Sequence, residues 1–171
     1  MIIKTELQTP LGRMYACATE RGICLLEFDN RKNCDLQLEK LAKSLNDKIE
    51  AGESPFFIQL ETELKEYFEG KRREFSVPLE LVGTDFQKKV WAELLKIPYG
   101  KTISYKQLAE RVGDSNASRA VANANGMNKI CLIVPCHRVI GADGSLTGYA
   151  SGLERKRFVL DLEKNQGRLS F

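Results

Sequence analysis

The spacing of apolar residues changes near Gly83 from a mixed strand and helix pattern to a helical one, and this change limits the folds available to the chain. Before Gly83, strand-like runs over residues 2–7, 14–19 and 23–28 are separated by turn residues and predict a meander of hairpins. Apolar spacing then predicts helices over about residues 34–47 and 55–69. After Gly83 the spacing is helical. We therefore predict an α+β fold, with a small antiparallel-sheet-plus-helix domain over residues 1–83 and a mostly helical domain over residues 84–171.

Two capping boxes mark the starts of helices in the second domain. Thr84 with Gln87, and Ser104 with Gln107, can exchange side-chain and backbone hydrogen bonds across a first turn. The first box is followed by apolar residues on one helical face, which are Phe86, Val90, Trp91, Leu94 and Leu95. We expect Trp91 to lie in the core, because an aromatic residue on such a face usually packs.

The second capping box opens a helical hairpin. It predicts a short helix to Val112, a turn at Gly113 and Asp114, and a further helix over about residues 115–125. This arrangement has helix-turn-helix form, although many helical hairpins bind nothing.

The second helix of the hairpin has a slim profile. Arg119 is its only charged residue, and its small side chains are Ala117, Ser118, Ala120, Ala122 and Ala124. A major-groove reader carries several long polar side chains, so this helix suits close, sequence-independent approach to a narrow groove with one arginine directed inward. The alternative is an alanine-rich helix packed against its neighbours, with Arg119 in a surface ion pair.

Charge divides at the same place as the fold pattern. Residues 1–83 carry 12 basic against 15 acidic side chains, or −3, whereas residues 84–171 carry 14 against 8, or +6. The asymmetry favours a polyanionic partner for the second domain, and a basic solvated surface without a partner is the alternative.

Several classes of protein are disfavoured by the sequence. No apolar stretch approaches the roughly 18 residues of a membrane span, and the first residues lack the apolar core of a signal peptide. We expect no membrane partner and a cytoplasmic protein, nuclear if the source has a nucleus. The cysteines are odd in number and have no CxxC spacing, which predicts neither disulfides nor a metal site. They are Cys17, Cys24, Cys34, Cys131 and Cys136.

One block carries the reactive side chains, and it is the run ICLIVPCHRV over residues 130–139. His137 is the only histidine, so any chemistry that pairs a thiol with an imidazole must use it, most simply with Cys136. A thiol becomes a nucleophile only where its surroundings favour the thiolate. A cysteine hydrolase is a weaker interpretation, because it needs a histidine that faces the thiol from a separate element.

The motifs of the second domain resemble the O6-alkylguanine-DNA alkyltransferases, also called methylated-DNA–protein-cysteine methyltransferases. The similarity runs through about residues 84–166. It rests on Ser104-Tyr105-Lys106-Gln107-Leu108-Ala109, Ser118-Arg119-Ala120-Val121, Asn128, Ile133-Val134-Pro135-Cys136-His137-Arg138-Val139-Ile140, Gly148-Tyr149 and Glu163.

The resemblance implies a mechanism without a cofactor. Cys136 takes the alkyl group from O6 of guanine, or from O4 of thymine, once per molecule. His137 deprotonates the thiol through a water while Glu163 holds the imidazole. This arrangement resembles a catalytic triad in which a water lies between the nucleophile and the general base. Tyr105 donates to guanine N3 and stabilises the leaving base.

The resemblance also implies how DNA is bound. The base is rotated out of the duplex, Arg119 fills the vacated stack, and Tyr105 crowds the phosphate. The small residues Ala117, Ser118 and Ala120 permit close approach to the minor groove. We expect a monomer that binds alkylated double-stranded DNA with little sequence preference.

Further residues are expected to build and support the pocket. By resemblance, the carbonyls of Cys136 and Val139 accept from the guanine amine, the amide of Ala150 donates toward O6, and Tyr149 forms a wall. Asn128 is expected to tie the DNA-binding helices to the cysteine loop, although a buried asparagine bridging loops is also a common structural device.

Two positions depart from the family. Lys129 replaces a common proline and adds a candidate phosphate contact, and alanine replaces a common serine at position 150, which leaves Ser151 as the nearby hydroxyl. A non-catalytic binder of alkylated DNA that recruits other repair factors is the alternative function. Such proteins lack the reactive cysteine, which is present in this chain.

Overall fold

The chain divides into two compact units, Met1–Gly83 and Thr84–Phe171. The computed structural model describes residues 1–29, 34–149 and 151–169, without the side chains of residues 166–169. Within that part of the chain, no helix has both the length and the apolar character that a membrane crossing requires.

The first unit is built on a four-stranded sheet. Its strands are β1 (Ile2–Thr9), β2 (Gly12–Ala18), β3 (Ile23–Phe28) and β4 (Ile49–Ala51), in the order β3-β2-β1-β4. The first three strands form the predicted antiparallel meander, with Ile3 opposite Ala18 and Thr9 opposite Gly12. Strand β4 pairs parallel to β1 and was not predicted, because three half-buried or exposed residues carry no alternation to recognise.

Two helices complete the first unit. They are α1 (Cys34–Leu45) and α2 (Pro55–Phe68), close to the predicted ranges. Leu41 of α1 is buried in a cluster with Ile2, Tyr15 and the thiols of Cys17 and Cys24. All five cysteines of the chain are free thiols, and burial raises the pKa of Cys17 to about 12. The Cys17 thiol is therefore unreactive core packing.

The second unit is mostly helical, as predicted. Its elements are α3 (Asp85–Leu94), β5 (Ile103–Ser104), α4 (Tyr105–Val112), α5 (Ser118–Gly126), a 3₁₀ helix (Cys136–Arg138), β6 (Val139–Ile140) and α6 (Leu153–Leu169). Both capping boxes are present, at Thr84 for α3 and at Ser104 for α4. Gly113 ends α4 with φ of +103°, a left-handed conformation that glycine adopts without strain.

Helices α3, α4 and α5 pack against one another, and Trp91 of α3 lies in the core of this unit. The indole is buried, as expected, and its N–H donates to the carbonyl of Ala124 at 2.9 Å. The predicted apolar face of α3 is wrong at its edges, because Phe86 and Leu95 are exposed. Only Val90, Trp91 and Leu94 are buried, so the stripe that packs is narrower than the sequence pattern.

Two features of the second unit differ from the sequence prediction. Helix α5 begins at Ser118 rather than residue 115, because Asp114 caps a turn in which its carboxylate accepts from the amide of Asn116 at 3.0 Å. The parallel pair β5–β6 was not predicted. It sets Ile103 beside Val139 and Ser104 beside Ile140, and so brings the start of α4 next to the segment that follows the Cys-His dipeptide.

Candidate active site

The segment before Cys136 is buried and tightly turned. The amide of Val134 donates to the carbonyl of Ile130 at 3.0 Å, and Leu132 has φ of +73°. A left-handed leucine costs about 1–2 kcal/mol, so packing must hold this bend. Pro135 precedes the 3₁₀ helix, in which Cys136 is 7% exposed and the amide of Val139 donates to the Cys136 carbonyl.

Two asparagines connect α5 to the cysteine segment. Asn128 donates to the carbonyl of Val134 at 2.8 Å and accepts from the amide of Ile130 at 3.0 Å. Asn125, which lies within α5, donates to the carbonyl of Cys136 at 3.4 Å. Both side chains are buried. The backbone that holds the thiol is therefore bonded directly to the helix that carries Arg119.

His137 and Glu163 meet in the interior of the second unit. Nε2 of the imidazole lies 2.8 Å from Oε2 of the carboxylate, although the residues are 26 positions apart. Both side chains are buried, and Nδ1 of His137 has no hydrogen-bond partner among the residues described. The free lone pair of a neutral imidazole can therefore lie at Nδ1, the position from which it can accept a proton.

The same carboxylate binds Arg138. Nε and Nη2 of the guanidinium lie 2.9 and 3.0 Å from the two oxygens of Glu163. Burial by itself raises the pKa of Glu163, but contacts with His137 and Arg138 outweigh it and bring the pKa below its ordinary value. Burial lowers the pKa of His137, against the opposing effect of Glu163. The site thus favours an ionised glutamate beside a neutral histidine.

Lys156 is a buried residue that the sequence prediction missed. Its ammonium donates to the carbonyls of Val139 at 2.7 Å and Thr147 at 2.8 Å. Burial lowers its pKa to about 8, and the nearby Cys136 opposes that shift. Lys156 precedes Glu163 by seven positions on α6, a spacing that puts both side chains on one helical face. That spacing is the sequence signal that could have identified Lys156.

Tyr105 stands at the start of α4 and reaches the loop after β6. Its hydroxyl donates to the carbonyl of Thr147 at 3.1 Å. In the same loop, the hydroxyl of Tyr149 lies 2.8 Å from the thiol of Cys131, and the hydroxyl of Ser151 lies 3.8 Å from it. Cys131 is thus a second thiol beside the two predicted pocket residues, and nothing in the sequence pattern distinguished it from a core cysteine.

The remaining predicted residues lie on and beside α5. Arg119 and Ala120 are exposed, whereas Ala117, Ser118 and Lys129 are half-buried. Arg119 forms no ion pair with any residue that the structure describes, which disfavours the interpretation of a surface ion pair. Val139 is buried. Ala150, expected to donate its amide toward O6, lies outside the described residues.

Comparisons with known proteins cover most of the chain and agree on one family. Residues 2–81 match the ribonuclease-like domain of 6-O-methylguanine DNA methyltransferase, and residues 85–165 match its DNA binding domain. A methylated-DNA–protein-cysteine methyltransferase of Methanosarcina barkeri is 44% identical over 162 residues, which cover 95% of this chain and 97% of that protein.

The chain belongs to the 6-O-methylguanine DNA methyltransferase family.

Solved structures of this methyltransferase family have the same fold. The crystal structure of the Mycobacterium tuberculosis O6-methylguanine methyltransferase superposes with a TM-score of 0.83 at 39% identity, over 97% of this chain and 94% of that chain. The M. tuberculosis OGT in complex with DNA superposes with a TM-score of 0.81 at 38% identity, over 96% and 94% of the two chains. The α+β fold predicted from the sequence is confirmed.

Proposed function

We propose that this methyltransferase repairs DNA by moving the alkyl group of O6-alkylguanine onto its own Cys136, once per molecule. The observation that carries the proposal is the arrangement of His137. Its Nε2 is engaged by Glu163, while its Nδ1 is buried without a partner among the described residues. Cys136 directly precedes His137, and we therefore assign its thiol as the nucleophile that the imidazole deprotonates.

The transfer step moves one methyl group and one proton. A water bridging Cys136 and His137 passes the thiol proton to Nδ1, and the thiolate sulfur then bonds to the alkyl carbon. The bond from that carbon to O6 breaks, and its electron pair goes to guanine, where the hydroxyl of Tyr105 donates to N3. The product is a thioether, which is a poor leaving group, and this ends activity after one event.

The two carbonyls proposed to receive the exocyclic amine of guanine already accept hydrogen bonds within the protein. Val139 already accepts from Lys156, and Cys136 accepts from the amide of Val139. Each carbonyl has two lone pairs, so Val139 can take one further bond from the exocyclic amine of guanine, whereas Cys136, which also accepts from Asn125 at 3.4 Å, must exchange one of its present donors for the amine. Tyr149 and Ser151 are proposed to line the side of the pocket that takes the alkyl group, including that of O4-alkylthymine.

The DNA interface is proposed to be the exposed face of α5. Arg119 projects from this face beside Ala120, and the small side chains permit close approach of the backbone to the minor groove. Lys129 supplies a phosphate contact. Because the face carries one long side chain, we expect binding with little sequence preference. We further propose that the protein acts as a monomer, in the cytoplasm or in the nucleus if the source has one.

The non-catalytic alternative is not favoured. It requires a chain without the reactive cysteine, whereas Cys136 is held at the end of a bent, buried segment by two asparagines. The relative from M. barkeri, matched over 97% of its length, is named for transfer to a protein cysteine.

The test is mass spectrometry after incubation with a duplex that contains O6-methylguanine. Trypsin cleaves after Lys129 and Arg138, so Cys131 and Cys136 fall in one peptide and fragmentation must assign the methyl group. We expect it on Cys136, retained in C131S and abolished in C136S. An unmodified peptide, or many methyl groups released per protein, would overturn the proposal.

A further inference from the structure

Arg138 is held on every side by the interior of the second unit. Besides its two bonds to Glu163, its Nη1 donates to the carbonyl of Ile97 at 2.7 Å. Its guanidinium carbon lies 5.7 Å from the centre of the Tyr99 ring, within range of a cation–π interaction. The residue is 7% exposed. The guanidinium is therefore a fixed buried charge that joins the segment after α3 to α6.

One oxygen of Glu163 serves two donors. Oε2 lies 2.8 Å from Nε2 of His137 and 3.0 Å from Nη2 of Arg138, while Oε1 lies 2.9 Å from Nε of Arg138. A carboxylate in a bidentate pair with arginine stays ionised and can only accept hydrogen bonds. The imidazole proton must then lie on Nε2, which leaves the lone pair at Nδ1.

Arg138 also limits how strongly Glu163 attracts a second proton to the imidazole. A buried carboxylate alone beside a histidine favours the imidazolium, which has no lone pair and cannot act as a base. The guanidinium on both oxygens offsets that negative charge. Arg138 therefore lowers the pKa of His137, whereas Glu163 raises it.

We propose that Arg138 is a positioning residue that keeps His137 neutral with its proton on Nε2, so that Nδ1 remains a proton acceptor for the Cys136 thiol. The inference rests on the proposed function, since that function makes His137 the base. Arg138 touches neither the alkyl group nor the sulfur in this scheme; it acts through the carboxylate that it shares with the imidazole.

The other charged groups around His137 do not provide the same control. Lys156 of α6 also acts against imidazolium formation, but it is bonded to the carbonyls of Val139 and Thr147 rather than to Glu163. Helix α3 packs against the 3₁₀ helix with its charged side chains turned away or paired. On α3, Asp85, Lys88 and Lys89 are exposed, and Glu93 pairs with Lys96 at 2.8 Å.

The experiment uses the single histidine as its own reporter. With ¹⁵N-labelled histidine, NMR of the full chain without DNA observes His137 alone, and the shifts of its two ring nitrogens report tautomer and protonation. In the unsubstituted protein we expect a neutral ring at pH 7 with the proton on Nε2. An imidazolium at pH 7, or a proton on Nδ1, overturns the proposal without any variant.

The variant R138M removes the charge and keeps the length of the side chain. We expect the protonation midpoint of His137 to rise by about one pH unit, as is typical for the loss of a nearby charge. The acid side of the pH profile for methyl transfer should move by the same amount, with about tenfold slower transfer at low pH and recovery at high pH. R138K keeps the charge without the bidentate geometry and should raise the protonation midpoint of His137 by less than R138M does.

The matched control is R157M, an equal change at an exposed arginine of α6, which should leave the titration of His137 unchanged. Uniformly slower transfer in R138M at every pH, with an unchanged His137 titration, would assign Arg138 a purely structural role and overturn the proposal. If transfer to Cys136 itself is absent while His137 behaves as expected, the proposed function fails and the assignment of Arg138 does not.

Discussion

Tyr105 and Lys156 donate to the same atom, the carbonyl oxygen of Thr147, from 3.1 and 2.8 Å. The phenol at the start of α4 and the ammonium of α6 are thereby linked through one residue of the loop after β6. If the phenol turns to donate to guanine N3, the carbonyl keeps its bond from Lys156. The exchange therefore leaves the Thr147 carbonyl with a donor, which lowers its cost.

Replacement of Lys156 by methionine should lower both stability and transfer rate. The change leaves the buried carbonyl of Val139 without its ammonium donor, at about 1–3 kcal/mol, whereas the carbonyl of the exposed Thr147 keeps its bond from Tyr105. The midpoint temperature of thermal unfolding should fall by several degrees, at about 2–4 °C for each kcal/mol lost in a chain of this size. K164M, an exposed lysine on the same helix, is the control and should unfold like the unsubstituted protein.

The free energy of unfolding should fall as pH falls below about 6.5. Burial lowers the pKa of His137, so in this window the unfolded chain binds a proton that the folded chain does not. The slope can reach about 1.4 kcal/mol per pH unit. Urea unfolding between about pH 5 and 7 measures it. Because there is one histidine, H137Q should remove most of the slope and leave the part that Glu163 contributes at about pH 5; equal slopes in both proteins would contradict the prediction.

Replacement of Asn128 by alanine should loosen the cysteine segment. The change removes the bonds to Val134 and Ile130 and leaves buried backbone groups unsatisfied, at a cost of about 1–3 kcal/mol. Hydrogen exchange of the amides over residues 130–136 should increase, and transfer should slow. N123A, at an exposed asparagine of α5, is the control for the hydrogen-exchange measurement alone, because Asn123 lies on the helix proposed to bind DNA. An unchanged exchange rate in N128A would show that packing alone holds the segment.

Replacement of Arg119 by alanine should slow repair of duplex DNA more than transfer from the free base O6-methylguanine. Arg119 is exposed on α5 and touches no part of the Cys136 site, so its loss affects the flipped state rather than the chemistry. Single-turnover rates on the two substrates measure the difference. R157A carries the same charge change on α6, and an equal loss in both variants would assign the effect to general electrostatics.

Local signals in the sequence were sufficient for most helices and for the hairpin meander. The capping boxes at Thr84 and Ser104 act within one turn, and they mark both helix starts correctly. The start of α5 was misplaced because the Asp114 turn competes with a helix over the same residues. Strand β4 and the pair β5–β6 were missed because each is two or three residues long and is held by partners distant in sequence.

By itself, the sequence determined where the reactive thiol and imidazole lie, because both are in one dipeptide and there is one histidine. It determined Glu163 only by resemblance, since no spacing rule connects residues 26 apart across a loop and a helix. The tertiary structure alone decided that Nε2 of His137 meets a carboxylate shared with Arg138, and that Lys156 holds two carbonyls beside the site. These contacts arise because burial forces each charge to find a partner, and only the folded chain brings those partners together.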